Sequence, residues 1–247
     1  MMFLLWTTLA FADDACRTIA LPDIAAVPEP AIIVLGERRG AQPDLGRAKR
    51  IIRRLQKNAN GPVTVATDIV HHSVQRQFDA YEAGQINHAS LEQNLQWPEQ
   101  TSVSFAPYGQ LFKLAEQGVS VKAVGIDLVG PPNTDIRPPV PAVYPSMVNT
   151  TIADDALPFG LDGRIAEVMA YWDYQVANRA VNEWDGKGYL VILTERARVE
   201  GGGGVPWQLV QSGKRNVYSF ILSWSEPFCA EGDNVWAKNP LLHTLGL

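Results

Sequence analysis

The sequence predicts an α/β protein with a mainly parallel central sheet flanked by helices. Three observations carry this. Short apolar runs rich in β-branched residues recur along the chain and end at Gly, Pro, Asn or Asp, as buried parallel strands do. Longer stretches with an apolar stripe at helical spacing lie between them. The composition, 46% apolar and 19% charged over 247 residues, is that of a globular chain. A chain of this length buries roughly 70–75% of its extended surface. Such a balance excludes intrinsic disorder, and no fibre or repeat period is present. The net charge of −5 gives no reason to expect nucleic acid as a partner.

Ala31 to Leu35, ending at Gly36, reads as the first strand. Pro43 to Lys57 reads as a helix, because Leu45, Ala48, Ile51, Ile52 and Leu55 form one apolar stripe. Val63 to Thr67 is the second strand. Helical patterns are expected at about 70–83, 88–96 and 106–117, and a third strand over Val119 to Ile126. Residues 130–145 hold Pro131, Pro132, Pro138, Pro139, Pro141 and Pro145, which makes an irregular crossing segment. A long helix runs from Leu161 to Trp184, followed by strands over Tyr189 to Leu193 and Val217 to Ser223. Gly201 to Gly204 reads as a flexible turn. No shift in composition marks a second domain, so residues 13–247 are expected to form one.

The first residues, Met1 to Ala12, read as a secretory signal peptide. They are apolar, too short for a membrane span of about 20 residues, and end in Ala10-Phe11-Ala12 before an acidic pair. The mature chain is therefore expected to be exported, to the periplasm or beyond, and to carry no transmembrane segment. In an oxidising compartment Cys16 and Cys229 could pair; two buried thiols are the alternative.

Four segments resemble the ChaN-like haem-binding uptake proteins of the Tiki/TraB superfamily. They are Val34-Leu35-Gly36-Glu37-Arg38-Arg39, Val65-Ala66-Thr67-Asp68-Ile69, Phe78 to Ile86 with Trp97-Pro98, Tyr108 and Val121 to Val124 beyond it, and Tyr189 to Leu193 leading into Gly204-Val205-Pro206. The similarity runs from about Ala31 to Trp207. The chain departs from the family at its chemistry. The histidine of the family's G-E-x-H motif falls on Arg39, and a second family histidine falls near Asp44 or Leu45. The histidine before G-V-P falls on Arg198, and the glutamate of the second strand falls on Asp68. Glu37 is retained, and Asp173 matches an acidic family position.

In open α/β sheets ligands sit beyond the carboxyl ends of the strands. Glu37, Arg38, Arg39, Asp68, His71, His72 and Arg198 all follow expected strands, so they should gather on one rim. A catalytic metal needs neutral His, carboxylate or thiolate ligands, and arginine stays protonated. A fixed cation 4 Å from a metal charge costs about 4 kcal/mol per unit pair at an effective dielectric of 20. The resemblance thus implies ligand binding, haem first, rather than a retained metal hydrolase. A hydrolase with relocated ligands and a catalytically silent interaction module are the alternatives. Arg38, Arg39 and Arg198 suit the propionates of haem. The axial ligand could be Tyr, His, Met or Cys; the resemblance implies a tyrosine, and Tyr108, Tyr171 and Tyr174 are the candidates. In the hydrolase reading His71 or His72 could supply a relocated metal ligand, and only one of two adjacent histidines should face the site. Alternatively the arginines pair within the rim, Arg39 with Asp68 and Arg198 with Glu37.

The first helix stands apart in charge. Arg38, Arg39, Arg47, Lys49, Arg50, Arg53, Arg54 and Lys57 lie within 20 residues, with Asp44 the single acid among them. That segment carries about +7 and the remainder about −12. A basic helix over 43–57 can attract a membrane surface, a protein partner or a charged ligand, or can be a solvated face; a dimer is a separate expectation. No G-x-S-x-G elbow or P-loop is present.

Overall fold

The structure, a computed structural model, describes residues 17–18, 24, 26–126, 137–142, 144, 161–223 and 234–237. The expected signal peptide, Cys16, Cys229 and most of the proline-rich segment lie outside them.

Among the described residues seven strands form one sheet in which every neighbouring pair is parallel. They are β1 (Arg17–Thr18), β2 (Ala31–Glu37), β3 (Val63–His71), β4 (Ser120–Gly125), β5 (Tyr189–Glu195), β6 (Val217–Ser223) and β7 (Asn234–Ala237), in the order β1-β7-β6-β2-β5-β3-β4. β2 and β5 hold the centre, in register from Ala31↔Tyr189 to Glu37↔Glu195. Their apolar runs follow from that position, since helices cover both faces.

One face is covered by α1 (Gln42–Asn58), α2 (Gln75–Glu82), α3 (His88–Asn94), α4 (Trp97–Gln100) and α5 (Phe105–Phe112); the other by α6 (Leu161–Asn182) and α7 (Gly204–Gln211). Side chains alternate between these faces, as strand geometry requires. Ile33, Leu35, Val191 and Leu193 pack with Ile51, Ile52 and Leu55 of α1, whereas Ile32, Val34, Leu190 and Ile192 pack with Val176, Ala180 and Leu209. The helix expected over 43–57 is α1, and its five stripe residues are all buried.

Three expectations change. The helix expected over 70–83 begins only at Gln75. Val70 and His71 extend β3, and His72–Val74 form a single 3-10 turn. β3 shifts register against β4 between Thr67 and His71, so four steps of β3 oppose two of β4. The bulge presses its backbone on Gly125, where a Cβ would stand 2.3 Å from the Val70 carbonyl oxygen. The long helix stops at Asn182. The four glycines form a packed turn rather than a flexible one: Gly201, Gly203 and Gly204 are buried, and Gly204 opens α7 at φ 69°. A Cβ there would lie 1.8 Å from the Arg198 carbonyl oxygen, which only glycine permits.

Candidate functional site

Glu37 ends β2 on the α1 face and is 3% exposed. Its Oε1 accepts a hydrogen bond from the Tyr108 hydroxyl, which in turn accepts one from the Gly40 backbone N–H at 3.1 Å. Oε2 has no hydrogen-bond partner among the described residues. A buried carboxylate with one unsatisfied oxygen resists ionisation. Burial pushes the Glu37 carboxyl up to about 7; Tyr108 and Arg39 oppose the shift and Asp68 adds to it.

On the opposite face the same grouping recurs with different residues. Asp173 of α6 is 2% exposed. Its Oδ2 accepts from the Tyr144 hydroxyl, and the Gly204 N–H donates to that hydroxyl. Arg198 Nη1 donates to Asp173 Oδ1 at 3.3 Å, and its Nε lies 3.7 Å from Asp68 Oδ2. Asp68 Oδ2 also accepts from Thr194 Oγ1 at 2.7 Å. Burial pushes Asp173 up to about 6 against the opposing Arg198 charge. Burial works against the Arg198 charge too, but Asp68, Asp173 and Glu195 outweigh it and hold the guanidinium above its usual range.

Between these groups, at the carboxyl ends of β3, β4 and β5, lies a cleft of about 450 Å³. Arg39, Asp68, His71 and Arg198 supply polar groups to it, and Ile126 and Val176 an apolar wall. Glu99 adds a second carboxylate, so the lining balances its two arginines. His71 Nδ1 lies 2.7 Å from Ser73 Oγ. His72 Nδ1 donates to the Gly125 carbonyl at 3.2 Å. The two rings stack at 4.0 Å with a 55° tilt, and His71 is the one that lines the cleft.

The structure sorts the expected site residues. Arg38 is not at the cleft: Asp44, fully buried in the first turn of α1, accepts from its backbone N–H at 3.1 Å, its Nε at 3.0 Å and its Nη2 at 3.3 Å. Tyr108 is fully buried against Trp97 and Phe112, and its hydroxyl is committed to Glu37 and Gly40, so it serves the carboxylate rather than a ligand in the cleft. The rim does contain ion pairs, with partners other than those expected. Arg39 meets Glu195 at 3.6 Å, and Arg198 meets Asp68 and Asp173. The reason is the pleat: Glu37 and Asp68 point to opposite faces of the sheet, and Arg198 is on the Asp68 side. Tyr144 was not anticipated. It lies in the proline-rich segment, where neither periodicity nor motif distinguishes it. Thr194, which supports Asp68, was overlooked as the end of an apolar run.

Among the described residues no three His, Cys, Asp or Glu side chains converge as metal ligands. No helix there is long and apolar enough to cross a membrane.

Residues 24–129 match the model of a family described as haem-binding uptake, Tiki superfamily, ChaN. No curated protein matches the chain. Among solved structures, ChaN of Campylobacter jejuni, described for its cofacial haem binding, aligns with a TM-score of 0.65 at 13% identity, over 83% of this chain and 85% of its own. A C-terminal region of the Pasteurella multocida toxin, described with a thiol-protease-like catalytic triad, aligns with a TM-score of 0.52 at 10% identity. The Vibrio vulnificus effector domain RRSP aligns with a TM-score of 0.51 at 15% identity. The chain spans 27% and 40% of those two toxin chains. At these identities the likeness is one of fold.

Proposed function

Because residues 24–129 are of the ChaN haem-binding type, we propose that this protein binds haem, or a similar iron-porphyrin, in the cleft between β3, β5 and α6. The donor set fits such a ligand. It combines an imidazole, a cation at the rim and an apolar wall, which suit the iron, a propionate and the ring of an amphipathic porphyrin. His71 would hold the iron through Nε2, in the tautomer whose Nδ1–H donates to Ser73 Oγ rather than accepting the Ser73 N–H, Arg39 would pair with a propionate, and Ile126 and Val176 would line the porphyrin. Haem supplies the iron chemistry; the chain supplies binding and orientation.

The observation that carries the reading is the division of labour among the arginines. Arg38 is fixed by Asp44, and Arg198 is held between two buried carboxylates. Among the described residues Arg39 pairs with Glu195, at 3.6 Å, and both side chains are about one-third to one-half exposed (34% and 46%). Such a pair is worth about 0–1 kcal/mol, so a ligand carboxylate can replace Glu195 at little cost. The balanced lining makes selectivity depend on that one fork rather than on a general positive field.

The same reading makes the protein exported, through the segment 1–12, and non-enzymatic in its main role. Haem titration of the purified protein tests the binding. A Soret shift saturating at micromolar haem is expected, altered in position by His71→Ala. No shift at all, or a shift indifferent to both Arg39→Ala and His71→Ala, overturns the assignment. N-terminal sequencing of the mature chain tests the export: a start at Met1 removes it.

A further inference from the structure

The cleft makes no use of the outer face of α1. Lys49, Arg50, Arg53, Arg54 and Lys57 follow one another at i, i+1, i+4, i+5 and i+8, opposite the buried stripe of Leu45, Ala48, Ile51, Ile52 and Leu55. Four of these cations are exposed and Lys49 is partly so. Lys113, just after α5, joins them: burial lowers the Lys49 ammonium pKa, and the charges of Arg53 and Lys113 lower it further. Between Asp44 and Asp68 the sequence has no acid. Among the described residues no acidic side chain pairs with Arg53, Arg54 or Lys57. Like charges at i and i+4 destabilise a helix, and Lys49/Arg53, Arg50/Arg54 and Arg53/Lys57 are three such pairs.

We propose that this face of α1 docks on an anionic lipid surface through Lys49, Arg53, Arg54, Lys57 and Lys113. The stripe spans eight residue steps, about 12 Å, close to one Debye length at about 0.1 M salt, so its charges act together on a charged plane. It carries no apolar anchor. The exposed large hydrophobic residues among those described are Val140 and Val210, and neither is on α1. Protein interfaces draw most of their affinity from aromatic residues and arginines set in well-packed, desolvated pockets, whereas this face has no aromatic residue and Arg53 and Arg54 stand exposed on a helix surface. Nor can α1 insert, because its apolar stripe is already inside the protein. A flat, multivalent and purely electrostatic face matches lipid headgroups. The remainder of the chain, at about −12, is repelled by the same surface, which favours the orientation with α1 toward it.

Vesicle sedimentation tests this, using the full protein with phosphatidylcholine vesicles that contain, or lack, about 30 mol% phosphatidylglycerol. Binding is expected only with the anionic lipid and is lost as salt rises. Arg53→Gln/Arg54→Gln/Lys57→Gln is expected to weaken it on the order of 100-fold. The charge-reversed triple variant with Glu is expected to abolish it. These side chains are outside the core, and circular dichroism of each variant confirms the fold. Absence of binding to anionic vesicles at low salt, equal binding to neutral ones, or variants that bind like the parent all overturn the proposal. So does charge-dependent binding to duplex DNA or to an acidic polypeptide without binding to vesicles.

Discussion

Tyr108 donates its hydroxyl proton to Glu37, joining residues 71 positions apart across the end of the sheet. Trp97 and Phe112 hold the tyrosine ring in place, and the Gly40 N–H orients the hydroxyl from behind. The carboxyl of Glu37 therefore has one served oxygen and one without a partner. Removing the donor by Tyr108→Phe strands both oxygens in the core. A loss of about 1–3 kcal/mol of stability is expected in denaturant unfolding, together with a Glu37 pKa above its present value of about 7. Unchanged stability would mean that water replaces the hydroxyl.

The raised carboxyls make stability pH-dependent with a definite sign. Glu37 ionises at its ordinary value of 4.5 when unfolded and at about 7 when folded. Between these values the folded state holds the proton and the unfolded state does not, so stability falls as pH rises through that window. Asp173, raised from 3.8 to about 6, acts in the same direction over a lower range. Glu37→Gln cannot ionise. The loss of stability between pH 5 and pH 8 is expected to be smaller in this variant, by on the order of 3 kcal/mol. Equal slopes in the two proteins would show that Glu37 is not the titrating group.

Arg198 is the counter-charge for two carboxylates at once, Asp68 and Asp173. Arg198→Met leaves both without it in a desolvated site, at a cost of about 3–5 kcal/mol. The cost should be greater at pH 8 than at pH 5, because a protonated Asp173 needs no cation. A pH-independent loss would assign Arg198 to packing alone.

Arg38 and Arg39 are adjacent in sequence and are expected to separate by experiment. Arg39→Ala should reduce haem affinity about tenfold and leave stability within about 0.5 kcal/mol, as for an exposed pair. Arg38→Ala should leave haem affinity unchanged and cost about 1–3 kcal/mol, since Asp44 is fully buried and loses two of its partners. Titration and unfolding of both variants check the pair together, and a reversed pattern would place the wrong arginine at the cleft.

Gly204→Ala tests the packed glycine turn. A positive φ and a Cβ 1.8 Å from the Arg198 carbonyl oxygen cannot both be relieved by a side-chain shift. The expected loss is about 3 kcal/mol or more, with Tyr144 also losing the Gly204 N–H.

What the sequence determined by itself was the layering. Apolar β-branched runs must be buried on both faces, and the stripe on α1 can face only one way, so the five longer strands, α1 and the rim bearing Glu37, Asp68 and Arg198 were readable from local pattern, whereas β1, β7, α4 and the extension of β3 to His71 were not. It also showed Arg39 and Arg198 at positions where the resembled family carries histidine, because residue identity needs no fold to be seen. The partners on that rim were a tertiary decision. Whether Arg198 meets Glu37 or Asp68 depends on which face of the pleat each carboxylate takes, and the bulge in β3 re-aims the segment that follows Thr67. Tyr144 reaches Asp173 from a segment with no period, and Tyr108 reaches Glu37 from another helix. Such long-range hydrogen bonds leave no trace in local spacing: they arise from the packing of elements whose order in space the chain settles only when it folds.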